Sequence, residues 1–149
     1  MKNYVITGDT LAILPYSTGS IIYETNQTLI INKLPNNIIS YNCLLFGSSY
    51  KGRVKGSKNL IGFKYKNPIS INDSLIFFPT TSPRLKECSW INYINVKKVD
   101  FINNINMTKI QFINDLELKF HISKNIINNQ INKSYILNSK IHMNLGYFV

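Results

Sequence analysis

Short runs rich in β-branched and aromatic residues open the chain, separated by turn formers. Tyr4 to Thr7, Thr10 to Leu14, Ser20 to Thr25 and Thr28 to Asn32 are such runs. Gly8-Asp9, Pro15 with Gly19, and Asn26-Gln27 punctuate them, so the pattern predicts an antiparallel meander. Pro35-Asn36-Asn37 breaks it. Asn37 is placed to cap a helix carrying Ile38, Ile39, Tyr41, Asn42 and Leu45 and ending near Gly47. A second helix is predicted from Ser49 to Leu60, although Gly52 and Gly56 weaken it. In that helix Lys51, Lys55 and Lys58 share one face at i, i+4 and i+7, and Arg53 falls off the stripe.

Strands return after Pro68. One is predicted over Ser74 to Phe78 and a longer one over Cys88 to Val99, with Trp90, Ile94 and Val96 on one face. Lys109 to Ile113 and Leu116 to Ile122 form the clearest hairpin around Asn114-Asp115, with Leu116, Leu118, Phe120 and Ile122 alternating against Glu117, Lys119 and His121. Ser123 then caps a helix to about Asn138 with Ile127, Ile131 and Tyr135 at helical spacing; Ile141 to Val149 is left as a last strand or a frayed end. The expected class is α+β: one domain over residues 1–149, a mostly antiparallel sheet, curled or barrel-like, two short central helices and a C-terminal helix.

Composition adds a partner to this picture. The chain has 149 residues, 44% hydrophobic and 16% charged, which fits a folded domain rather than a disordered tail. Lys and Arg number 17 against 7 acids, for a net charge of +10 and a pI near 9.6. That imbalance calls for an acidic partner, nucleic acid or an anionic surface. Heavy use of Asn, Ile and Lys reads as the translation of an A/T-rich genome, so lysine count alone carries little. No apolar run is long enough to cross a membrane. Met1-Lys2-Asn3-Tyr4 does not begin a secretory signal. Cys43 and Cys88 are too few for a disulfide framework and read as buried free thiols, so a cytoplasmic protein is expected.

The position of the cations says more than their number. From Cys43 to Lys66 the chain carries Lys51, Arg53, Lys55, Lys58, Lys64 and Lys66 with no Asp or Glu. Ser48, Ser49 and Tyr50 offer hydroxyls for phosphate oxygens, and Gly52 and Gly56 allow close backbone approach. Arg84 and Lys86 form a second basic pair after Pro79. Arg53 is the expected cation for insertion into a nucleic-acid groove, because guanidinium is planar and sheds water more readily than ammonium. Gly47-x-x-x-x-Gly52-Arg53-Val54 approaches a P-loop but has Arg for the phosphate-reaching Lys and Val for the magnesium-holding hydroxyl. His121 and His142 stand apart, and the acids are scattered. No catalytic cluster, metal site, cofactor or small-molecule substrate is expected, and the chain does not read as an enzyme.

The same residues carry a family resemblance. Leu45-Phe46-Gly47-Ser48-Ser49-Tyr50-Lys51-Gly52-Arg53 resembles the F-G-x-S/T-Y-x-G-R/K segment of the ComK family of competence transcription factors. Lys66-Asn67-Pro68-Ile69 resembles its K-P-P-I, and Phe77-Phe78-Pro79-Thr80 its F-F/L-F-P-T. Arg84 with Cys88-Ser89-Trp90-Ile91 is similar to its R-x-x-x-C-G-W-I region. Phe112 to Asp115 and His121 to Ser123 resemble its late hairpin. The likeness runs from Tyr4 to about Asn129. Asn67 and Ser89 depart from it, standing for a proline and a glycine.

The resemblance implies an activator of natural-transformation genes that binds A/T-rich double-stranded DNA from the minor-groove side as a homo-oligomer, with its abundance set by a proteolytic adaptor. Relatives continue with a charged region where this chain ends at Val149, so a shortened regulatory paralogue without activation is a second expectation. The residues by themselves leave another reading open. Tyr50 and Tyr65 beside the lysines also suit a general RNA- or single-strand-binding module.

Overall fold

The computed structural model describes residues 3–102 and 106–146. Strands β1 (Thr10–Tyr16), β2 (Gly19–Glu24) and β3 (Thr28–Ile31) form the expected meander. Helices α1 (Pro35–Leu45) and α2 (Tyr50–Ile61) follow, then β4 (Ile69–Asn72), β5 (Leu75–Pro79) and the three-residue β6 (Trp90–Asn92). A 3-10 turn at Tyr93–Asn95 leads into β7 (Val96–Ile102), β8 (Met107–Phe112), β9 (Glu117–Phe120) and the long α3 (Lys124–Gly146).

The strands make two antiparallel sheets, a six-stranded one in the order β3-β2-β1-β6-β5-β4 and a three-stranded one in the order β7-β8-β9. The α+β class holds, but the larger sheet is open, with β3 and β4 at its ends, and not a barrel. The expected strand from Cys88 to Val99 is two strands in different sheets. Asn92 and Asn95 explain the break. Their buried amides donate to the Thr10 carbonyl at 2.9 and 3.3 Å, and Asn95 also to Gly8 at 2.8 Å. The chain is thereby turned off the first sheet, and Ile94, expected to lie with Trp90, is exposed.

Period-2 alternation splits the core into two clusters on opposite faces of the six-stranded sheet. Ile13, Ile22, Phe77 and Trp90 face α1 and α2, meeting Ile38, Ile39, Cys43 and Val54. Their strand neighbours Ala12, Phe78 and Ile91 face the second sheet and α3, meeting Ile110, Phe112, Phe120 and Ile127. The β5 strand is buried along its whole length, as a strand covered on both faces must be. A register shift between Thr10 and Ala12 puts Leu11 and Ala12 in the same cluster. Both thiols are free and buried.

Tyr4 to Thr7 forms no strand. Asn42 supplies what a ladder would have supplied: its amide accepts from Ile6 N–H at 2.8 Å and donates to Tyr4 C=O at 2.9 Å and Ile38 C=O at 2.8 Å. Helix α1 starts at Pro35 without a side-chain cap, so Asn37 is not the capping residue. Asn36 instead holds structure together across the chain. It accepts from the Trp90 indole N–H at 2.7 Å and donates to the Pro83 carbonyl. Helix α3 runs on to Gly146, past the expected stop at Asn138; the last part of the expected tail, 147–149, lies outside the described residues.

Candidate nucleic-acid interface

The two sides of α2 have different jobs. Ser49 caps the helix, accepting from Gly52 N–H at 3.0 Å, and Gly62 ends it at φ 75°, bonding back to Lys58 C=O at 2.9 Å. Tyr50 and Val54, one turn apart, pack onto the core, with the Tyr50 ring edge-on to Trp90 at 6.2 Å. Burial pushes the Tyr50 hydroxyl up to about 12. Beside this apolar strip, Lys51, Lys55 and Lys58 line the edge of a groove of about 1230 Å³.

The loop from Gly62 to Asn67 forms a second wall and brings Lys64 and Lys66 into the same groove. The loop after β5 forms a third and brings Arg84. Among the described residues, no Asp or Glu lines it. Three of the seven acids are paired elsewhere. Asp115, Asp100 and Glu117 pair with Lys97, Lys98 and Lys109 at 2.9, 3.6 and 2.7 Å, all on or beside the three-stranded sheet. Charge is thus partitioned: three of the lysines on the small sheet are paired, and the groove lysines have no such partner among the described residues.

Helix α3 sets the width of this groove. The buried Gln130 amide donates to Lys66 C=O at 2.8 Å and to Pro79 C=O at 2.7 Å, tying the basic loop to the start of the Arg84 loop. Lys66 needs that restraint, since its backbone is left-handed at φ 51°. The ammonium of Lys133 donates to Tyr65 C=O at 3.0 Å and lies 5.0 Å above the Phe63 ring. The Arg84 loop is held from the other side by Asn36.

Of the residues singled out in the sequence, Tyr50, Lys51, Lys55, Lys58, Lys64, Lys66 and Arg84 come together. Ser48, Ser49, Gly52, Arg53 and Lys86 are not part of the groove lining. Ser49 is used as the helix cap, and the Ser48 hydroxyl donates to Ser49 C=O at 3.2 Å. Lys86 is exposed on the loop. Arg53 sits about 200° around the helix from Lys51. Its guanidinium donates to Phe46 C=O at 2.9 Å and borders a separate cavity with Asp73.

The groove also contains residues that sequence reasoning did not place there. Asn36, His121 and Ser123 line it, and nothing local in the sequence links them to the lysine segment. Tyr65, which the sequence sets beside the lysines, stands 64% exposed at the rim with the Lys64 ammonium 5.4 Å from its ring. Chemically, the surface offers fixed cations, several hydroxyl and amide groups and an exposed aromatic edge. No cluster of metal-ligating side chains occurs among the described residues, nor is any helix there long and apolar enough to cross a membrane.

Comparison with known proteins bears on this arrangement. A competence transcription factor of Bacillus subtilis (strain 168) is 33% identical over 104 residues, which is 66% of this chain and 54% of that protein. The chain thus spans about half the length of the curated relative it matches. No solved structure matches it. The family model described as ComK protein matches residues 1–146, nearly the whole sequence, and the chain belongs to that family.

Proposed function

We propose that this protein regulates transcription of competence genes by binding duplex DNA in the basic groove, with a preference for A/T-rich sites approached from the minor-groove side. The similarity to a competence transcription factor supports the biological assignment. The observation that carries the binding site is the convergence of Lys51, Lys55, Lys58, Lys64, Lys66 and Arg84 in a groove without acids. Phosphate neutralisation by such cations releases counterions and supplies most of the affinity for any duplex.

Arg84 is the guanidinium of the groove, and it is the residue assigned to the minor groove of the A/T site; Arg53 is bonded to the Phe46 carbonyl on another side of α2. A narrow A-tract minor groove concentrates negative potential and rewards an inserted guanidinium without requiring base-specific donors. Assembly as a homo-oligomer on paired sites, and control of abundance by a proteolytic adaptor, are parts of the same proposal.

Electrophoretic mobility shifts on A/T-rich and G/C-rich duplexes across a salt series test it. With about five phosphates neutralised per subunit, log K should fall against log salt with a slope of about −4 to −5. The exposed Tyr65 beside Lys64 suits base stacking, the one feature favouring a single-strand or RNA module. Tighter binding of a single strand than of the duplex would decide for that reading.

A further inference from the structure

A second, smaller cavity of about 270 Å³ adjoins the basic groove and shares Lys66 and Ile126 with it. Lys133 of α3 lines its other side, with Asn129 and Asn132. We propose that Lys66 and Lys133 form a seat for one backbone phosphate of the bound duplex, extending the interface from the groove onto α3. This rests on the reading that the groove holds DNA.

Three observations carry the seat. Lys133 and Lys66 line the same cavity although each is a cation, and no carboxylate pairs with either among the described residues. Lys133 spends one N–H on the Tyr65 carbonyl, which leaves two donors free. The ammonium is also partly buried over Phe63, and burial together with Lys66 pushes its pKa down. Two uncompensated ammonium groups sharing a cavity repel, and a phosphate placed between them removes the repulsion and accepts from both. The neighbouring asparagine amides add neutral donors of the kind that fix register along a backbone.

Lysine acetylation followed by mass spectrometry tests this, on the whole protein, free and bound to an A/T-rich duplex. Protection of Lys66 and Lys133 together with Lys55 and Lys58 is the expected result. Protection of Lys55 and Lys58 with Lys133 unchanged would overturn the seat alone. Protection at none of the four would overturn the DNA reading and the seat with it. An arm with inorganic phosphate at the same phosphate concentration separates a backbone site from a general anion site; equal protection of Lys133 there would overturn the assignment to duplex. Lys133→Met keeps the contact over Phe63 and removes the charge, so the salt slope should become shallower by about 0.9. Lys133→Arg should restore it. An unchanged slope in a Lys133→Met protein that still binds would count against the seat.

Discussion

The Arg53 guanidinium donates to the Phe46 carbonyl at 2.9 Å, closing the turn between α1 and α2. A cation that the sequence offers as a DNA contact is occupied in tying two helices together. Arg53→Ala is expected to cost about 1 kcal/mol of stability, the usual net worth of a hydrogen bond at an exposed position. The salt slope of DNA binding should stay as in the parent. Chemical denaturation beside a mobility-shift series reads both; a shallower slope with unchanged stability would return Arg53 to the interface.

Lys58 and Arg84 should separate affinity from preference. Lys58→Ala removes a groove cation on α2 and is expected to weaken A/T-rich and G/C-rich duplexes alike, flattening the slope by about 0.9. Arg84→Ala should narrow the difference between the two duplexes. Equal losses on both for Arg84→Ala would remove it from the minor groove.

Gly19 and Gly56 make a contrasting pair. A Cβ at Gly19 would lie 2.3 Å from the Ile31 carbonyl oxygen, against the backbone of β3. Gly19→Ala should therefore destabilise by roughly 1–3 kcal/mol, the cost of overpacking. A Cβ at Gly56 meets nothing within 4 Å, and the position is mid-helix. Gly56→Ala should stabilise by up to about 1 kcal/mol. Thermal melts of the two variants should move in opposite directions. If Gly56→Ala also weakens DNA, the backbone there lies against the duplex.

Asn42 is the polar residue whose loss should cost most in the core. Asn42→Leu removes three hydrogen bonds and leaves the Ile6 N–H and Tyr4 C=O without their partner. A loss of about 2–4 kcal/mol is expected, from unsatisfied buried groups. Hydrogen exchange at Ile6 should accelerate more than at β5.

Cys43 and Cys88 give a pH test. Burial pushes both thiols up. Thiols with folded pKa values above the unfolded value of about 8.5 add stability that is fully present below that pH and fades as pH rises through the folded values. Unfolding midpoints should hold at neutral pH and decline in the alkaline range. Thiol reagents should react slowly at neutral pH until the chain is unfolded; fast labelling of the native protein would contradict the burial.

Local signals made much of this molecule legible. The β1–β3 meander follows from turn residues, the β8–β9 hairpin from Asn114-Asp115, where Asp115 takes the left-handed φ of 70°. The lysine stripe of α2 follows from helical spacing despite two glycines, because Ser49 caps it and Tyr50 and Val54 anchor it. What stayed hidden depends on distant partners. Tyr4–Thr7 reads as a strand until Asn42, far along the chain, takes its hydrogen bonds. The division of Cys88 to Val99 depends on buried amides reaching Gly8 and Thr10. In the site, the 50–66 segment declares itself by missing acids, whereas Gln130, Lys133 and His121 join it only through α3 and β9 packing.

Trp90 is the sole tryptophan of the sequence. Its indole N–H is linked through Asn36 to the Pro83 carbonyl, in the loop that carries Arg84. Any ligand that shifts this loop must disturb the polarity around one fluorophore. The chain therefore contains an intrinsic optical gauge of groove occupancy, readable by emission wavelength without a dye or a label.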